Sequence, residues 1–254
     1  MRSKILIVFV VLVLIYLSGC GLTNQNTANV YNRKVSISGN PLSVLAESIE
    51  NLRQSTNFEA RKTFVVKINS KQTSMEVWDF ITNSSNLFSI SEARVENNEQ
   101  KIVFKRIHLK NVQYETNSNF SGWKTVYKSQ KSFYFTYDYY ILNRNLVLGL
   151  LNDFYSVKTK KFSDLVKNLK KTGYKKIGNL NTIEYMYNYK FFDNKRIVSH
   201  SGKIYIAKIN GKVYPVSIYD DKVVKFKSNG TVVENITQIE IMNIGNAKPI
   251  ALTQ

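Results

Sequence analysis

Cysteine is almost absent: Cys20 is the only one in 254 residues. No disulfide can form within the chain, and no other thiol competes for whatever chemistry that residue undergoes. Histidine is nearly as scarce. His108 and His200 lie far apart, which argues against Cys₂His₂ and His₃ metal sites. Only three prolines interrupt the chain, and no run of eighteen apolar residues occurs after residue 20, so nothing there reads as a membrane-spanning helix. Acidic residues number 18 against 36 Lys and Arg. Catalytic motifs are also missing: there is no G-x-S-x-G elbow, S-x-x-K motif or phosphate-cradling Walker loop. His200-Ser201 suggests a base beside a nucleophile, but strand neighbours point to opposite faces, so the pair reads as a surface loop feature. Asp220-Asp221 reads as a turn between strands. The expectation is a protein that is not an enzyme and needs no cofactor or metal.

What the chain does have begins at its start. Arg2 and Lys4 precede an unbroken apolar run from Ile5 to Leu17, followed by Leu17-Ser18-Gly19-Cys20. A charged start, a short apolar segment and small residues describe an export signal. The last four residues resemble the bacterial lipobox at all four positions, which implies a diacylglyceryl group on Cys20 and a membrane anchor. The alternative is an ordinary secretory signal that happens to hold a cysteine. One acyl chain binds membranes marginally and two or three bind stably. The expected localisation is therefore the cell envelope, on the extracytoplasmic face of a bacterial membrane.

The formal charge of +18 falls to +16 without Arg2 and Lys4. The lysines are scattered along every segment and no basic helix stands out, so no nucleic-acid partner is expected. Attraction to anionic lipid headgroups is the weaker functional reading of this charge, on the order of 1 kcal/mol per Lys or Arg near the surface. Residues 21–40 are small and polar and read as a flexible tether, with a reach of roughly 25 Å. Residues 41–254 read as a single domain and a monomer.

That domain opens on a helix: Pro41 suits a first turn, and Leu42, Leu45, Ile49 and Leu52 recur at helical spacing. Period-two alternation follows at Phe64–Ile68, Glu76–Phe80, Ile102–Ile107, Trp123–Tyr127 and Phe133–Tyr139, predicting antiparallel strands with one dry face. Ile141 to Val157 predicts a helix apolar on most sides, and Phe162 to Leu169 a second, more amphipathic one with Gly173 past its end. The last third returns to strands. Asn210-Gly211 and Asn229-Gly230 predict type I′ hairpins joining segments 203–209, 213–219, 222–227 and 231–241.

Three stretches, PLSVLAESIENLRQSTNFEARKTFVVKI, LVLGLLNDF and SGKIYIAKINGKVYPVSIYDDKVVKFKSNGTVVENITQIEI, with Pro215 mid-strand and Lys248-Pro249 as a tail, resemble the LolA/LolB/LppX/RseB-like lipoproteins in layout. The resemblance spans about residues 41 to 250 and is one of order and spacing, without a diagnostic residue. It implies an α+β fold, a strongly curved antiparallel sheet forming an unclosed half-barrel under an N-terminal helix and a central helical insertion. It also implies an apolar cavity for an acyl chain or lipid.

On this reading Trp78, Phe80, Trp123, Tyr127, Phe133 and Phe135 supply the sheet wall, and Leu146, Leu150 and Phe154 the helix wall. The same residues would equally build a solid core. A signalling module with an envelope protein partner and a structural or adhesive surface lipoprotein without ligand are the competing expectations.

Overall fold

The computed structural model describes residues 37–250 except 86, 97–98, 110–111, 118–121 and 129–132. Helix α1 (Pro41–Gln54) starts where the sequence predicts. The Asn40 side chain accepts from the Leu42 N–H at 2.9 Å, and Pro41 fills the position where a missing N–H costs nothing. Val44, Leu45, Ile49 and Leu52 are buried, each worth about 1.5–3 kcal/mol of apolar transfer. Ile37, ahead of the helix, already packs on the same core.

Strands β1 (Phe58–Ile68), β2 (Lys71–Ser84), β3 (Leu87–Glu96), β4 (Glu99–Leu109), β5 (Val112–Asn117) and β6 (Lys124–Lys128) form a continuous antiparallel run. Helix α2 (Phe133–Phe154) follows, then a two-strand ribbon of β7 (Tyr155–Ser156) and β8 (Lys161–Phe162). The chain closes with β9 (Lys170–Ile177), β10 (Leu180–Phe192), β11 (Arg196–Ile209), β12 (Lys212–Phe226) and β13 (Val232–Met242). Because β1 pairs with β13, the two runs join into one eleven-stranded sheet, ordered β6-β5-β4-β3-β2-β1-β13-β12-β11-β10-β9. Its ends do not meet, so the expected α+β unclosed half-barrel is the fold.

Both helices cover one face of this sheet, α1 against β12 and α2 against β1 and β2. Phe58, Phe80, Phe88 and Ile90 from the sheet meet Tyr140, Val147, Leu148, Leu151 and Phe154 of α2 in the core. The Asn51 amide donates to the Val213 carbonyl at 3.0 Å and ties α1 down across the sheet. At the other end of the chain, Glu59 accepts from Asn243 and from the Lys248 N–H, which fastens the tail to β1.

Five local expectations need correction. Phe133–Tyr139 is not a strand: α2 begins at Phe133 and includes Phe135. The aromatic alternation there is real, but β-propensity mostly reports packing on a pleated surface. No Gly or Pro interrupts residues 133–148, so the run continues as helix and seats Tyr140 between Phe80 and Phe88.

Phe162–Leu169 is not an α-helix. It forms one 3₁₀ turn, Asp164–Val166, and Gly173 lies inside β9. Eight residues make a marginal helix unless packing supports it.

Asp220-Asp221 is not a turn and His200-Ser201 is not a loop; they lie within the unbroken strands β12 and β11. The C-terminal segments are accordingly three long strands. Of the two Asn-Gly connections, Asn210-Gly211 puts both residues at positive φ (50° and 83°), as type I′ requires. At Asn229-Gly230 only the glycine does, and that connection closes through Phe226 and Thr231 instead. Pro215 sits in β12 beside a register shift opposite Tyr205 and Ile206, where a missing N–H is tolerated.

Candidate functional site

Between α2 and the covered face lies a cavity of about 250 Å³. Phe64, Val147, Leu150 and Ile239 give it apolar walls; Lys62, Asp153 and Thr237 give it a polar rim. The arrangement follows from register. Lys62 stands opposite Trp78 on one side and Ile239 on the other, and Phe64 stands opposite Thr237. Both residues keep the phase of buried Ala60, so a lysine is placed on the apolar side of β1.

The Lys62 ammonium donates to the Leu146 carbonyl at 2.8 Å and lies 5.8 Å from the centre of the Trp78 ring. Burial holds its pKa below the usual lysine range, with Glu76 and Glu92 pulling the other way. Trp78 meets Phe104 edge-on at 5.8 Å, continuing an aromatic wall toward β4. Charged pairs flank that wall, Arg94 with Glu92 and Arg106 with Glu115, and Arg106 also donates to the Asn143 side-chain oxygen.

In the other direction the cavity row runs across five strands, from β1 to β10. Phe64 and Thr237 are followed by Asp220, Gly202 and Tyr187. The Tyr187 hydroxyl donates to Asp220 Oδ1 at 2.6 Å, and His200 Nδ1 lies 3.4 Å from the same oxygen. Burial, and then the charge of Asp220, raises the Tyr187 phenol far above its ordinary range, so it keeps its proton and donates it to Asp220. At the C-terminal end of α2, burial and then Asp220 raise the Asp153 carboxyl, while Lys222 and His200 act against the shift. The result is an apolar slot with a cation at one rim and a carboxylate-centred polar network beyond the other.

A second cleft, about 240 Å³, lies between α1 and α2 and continues to Lys158. Ile49 and Leu148 line it together with Arg53, Arg144 and Lys158, and among the described residues no acidic side chain does. Arg144 is buried and donates to the Leu52 carbonyl at 2.9 Å.

The residues expected to form the cavity are distributed unevenly. Leu150 lines the slot, and Trp78 adjoins it through Lys62. Phe80 and Phe154 are fully buried: Phe80 packs on Phe58, Phe88 and Tyr140, and Phe154 lies edge-on to Tyr187. Leu146 is exposed and contributes its carbonyl to Lys62. Trp123 precedes the edge strand β6, with Lys105 5.5 Å from its ring centre. The side chains of Tyr127, Phe133 and Phe135 lie outside the described residues.

Lys62, Phe64, Asp153, Thr237 and Ile239 were not anticipated, nor was the Tyr187–Asp220–His200 network. One local signal existed for Lys62, which shares the phase of Phe64 and Ala60. The network draws on β10, β11 and β12, and no local pattern marks it. Among the described residues, no group of three His, Cys, Asp or Glu could hold a metal ion, and no helix is long and apolar enough to cross a membrane.

No protein-family model matches the chain, and no curated protein sequence does. Among solved structures it is similar to LprF from Mycobacterium bovis, with 12% identity and a TM-score of 0.42 over 84% of this chain and 96% of that one. It is similar to the Mycobacterium tuberculosis lipoprotein LppX, with 12% identity and a TM-score of 0.38 over 84% and 98%. A LolA-superfamily protein from Nitrosomonas europaea gives 6% identity and 0.28 over 85% and 99%.

Proposed function

We propose that this chain is a non-enzymatic envelope lipoprotein, anchored through Cys20, that holds one acyl chain or a similarly narrow apolar group between α2 and the sheet for carriage or sensing. The observation that carries the reading is the slot itself: apolar walls of Phe64, Val147, Leu150 and Ile239 with a lysine at the rim. Sites for drug-sized ligands commonly enclose about 300–1,000 Å³. A cavity of about 250 Å³ therefore suits a single chain better than a bulky multi-chain lipid. Lys62 would meet an acidic head group, leaving the Leu146 carbonyl to do so.

The test is organic extraction of protein purified from a bacterial host, followed by mass spectrometry. A stoichiometric fatty acid or lipid that disappears from a Leu150→Gln variant supports the reading. A clean extract from well-folded wild-type protein, with no uptake of added fatty acid, removes it.

A further inference from the structure

Three connections gather at one end of the sheet. The β10–β11 tip touches the β12–β13 tip where the Lys227 N–H donates to the Lys195 carbonyl at 2.9 Å and the Lys227 ammonium to the Asp193 carbonyl at 2.7 Å. The β1–β2 turn joins them through Asn69, whose N–H and side chain both pair with Val232 at 2.9 Å. These tips leave large apolar side chains in solvent: Phe192 is 60% exposed, Phe191 and Ile68 42%, and Phe226 36%. Around them stand Lys71, Lys190, Lys195, Arg196, Lys225 and Lys227, all exposed. The nearest acid, Asp193, is used up locally, accepting from the N–H groups of Lys195 and Arg196 and pairing with the Arg196 guanidinium at 3.0 Å.

We propose that this end of the sheet is a docking surface for an anionic lipid membrane. Aromatic tips that enter the headgroup boundary while flexible lysines reach anionic phosphates are what an interfacial contact requires. The patch is made of hairpin tips, and its charge is complementary to an anionic bilayer. The surface involves neither Cys20 nor the slot, so it stands whether or not either of them acts as proposed.

The test uses residues 35–254, a compact unit holding every described strand, both helices and the whole core. Each variant is first checked for native circular dichroism and melting. Co-sedimentation with phosphatidylglycerol-containing and pure phosphatidylcholine vesicles is compared for three variants. These are F191S/F192S/F226S; K195E/K225E; and K208E/K212E, which makes the same charge change at the opposite end of the strands.

The expectation is binding to the anionic vesicles only. K195E/K225E should weaken it at least roughly twenty-five-fold, about fivefold per lost charge, and K208E/K212E far less. The phenylalanine variant should weaken it while leaving the charge untouched. Equal losses from both lysine pairs, or full binding by the phenylalanine variant, would mean that a basic protein merely adsorbs and would overturn the proposal. So would a wild-type dimer in solution that the phenylalanine variant abolishes, because the patch would then belong to a second copy.

Discussion

Gly202 should tolerate no side chain. A Cβ placed there would overlap the end of the Tyr187 ring and lie 2.5 Å from the Tyr219 carbonyl oxygen. A flexible side chain could swing aside, but the Tyr219 oxygen is backbone in the adjacent strand β12, so β11 and β12 must separate. Overpacking of this kind costs about 1–3 kcal/mol. Pushing Tyr187 off Asp220 adds about 1–3 kcal/mol, because the carboxylate stays buried without its shortest donor. The smaller entropy of the unfolded alanine chain returns about 0.4–1 kcal/mol.

Gly202→Ala should therefore cost about 1–5.5 kcal/mol, a sizeable part of the 5–15 kcal/mol typical of a domain. Tyr187→Phe alone should cost about 1–3 kcal/mol through the hydrogen bond. The double variant should cost less than the sum, since that bond is lost only once. Urea midpoints, with slopes compared to confirm a common transition, provide the measurement. A Gly202→Ala protein within about 0.5 kcal/mol of wild type, or strictly additive single and double variants, would refute the claim that Gly202 is vacant to seat Tyr187.

Three further outcomes are expected. Phe80→Ala should cost about 3–5 kcal/mol of stability, while Leu150→Gln, at the cavity wall, should cost clearly less yet abolish fatty-acid uptake; equal losses from both would make the slot ordinary core. Asp153→Asn should match wild type below the ordinary carboxylate pKa of 3.8. It should become the more stable protein as pH rises past that value toward the raised folded pKa, because the native state disfavours the charge. Solvent screening at this exposed site holds the gain below about 1 kcal/mol, and a wild-type advantage at neutral pH in thermal melts would reverse the assignment. Cys20→Ser should move the protein from the membrane to the soluble fraction on cell fractionation, and a processed form that stays in the membrane would remove the anchor.

Most of the sheet was legible because its strands carry their own signal. Ile183–Tyr189 alternates without interruption, and Asn210-Gly211 names its turn, so β10, the second half of β11 and the first half of β12 could be placed from local pattern. The misreadings arose where a distant partner decides. Asp220 lies mid-strand, paired with Gly202 and Thr237 and accepting from Tyr187, thirty-three residues away, whereas on its own an aspartate pair looks like a turn. Phe133–Tyr139 alternates like a strand, yet becomes helix once the Phe80 and Phe88 rings are available to receive Tyr140.

The site was less legible than the fold for the same reason. Its walls come from β1, β13 and α2: register brings Thr237 beside Phe64, and the packing of α2 on the sheet brings the Leu146 carbonyl to Lys62. Residues chosen for size alone divide between the solid core and the slot, as Phe80 and Leu150 do, because transfer from water rewards both positions alike. What separates them is whether an opposing side chain fills the space. Phe80 has three rings around it, whereas Leu150 faces the gap left where α2 carries Gly149 and the sheet carries a lysine and a threonine.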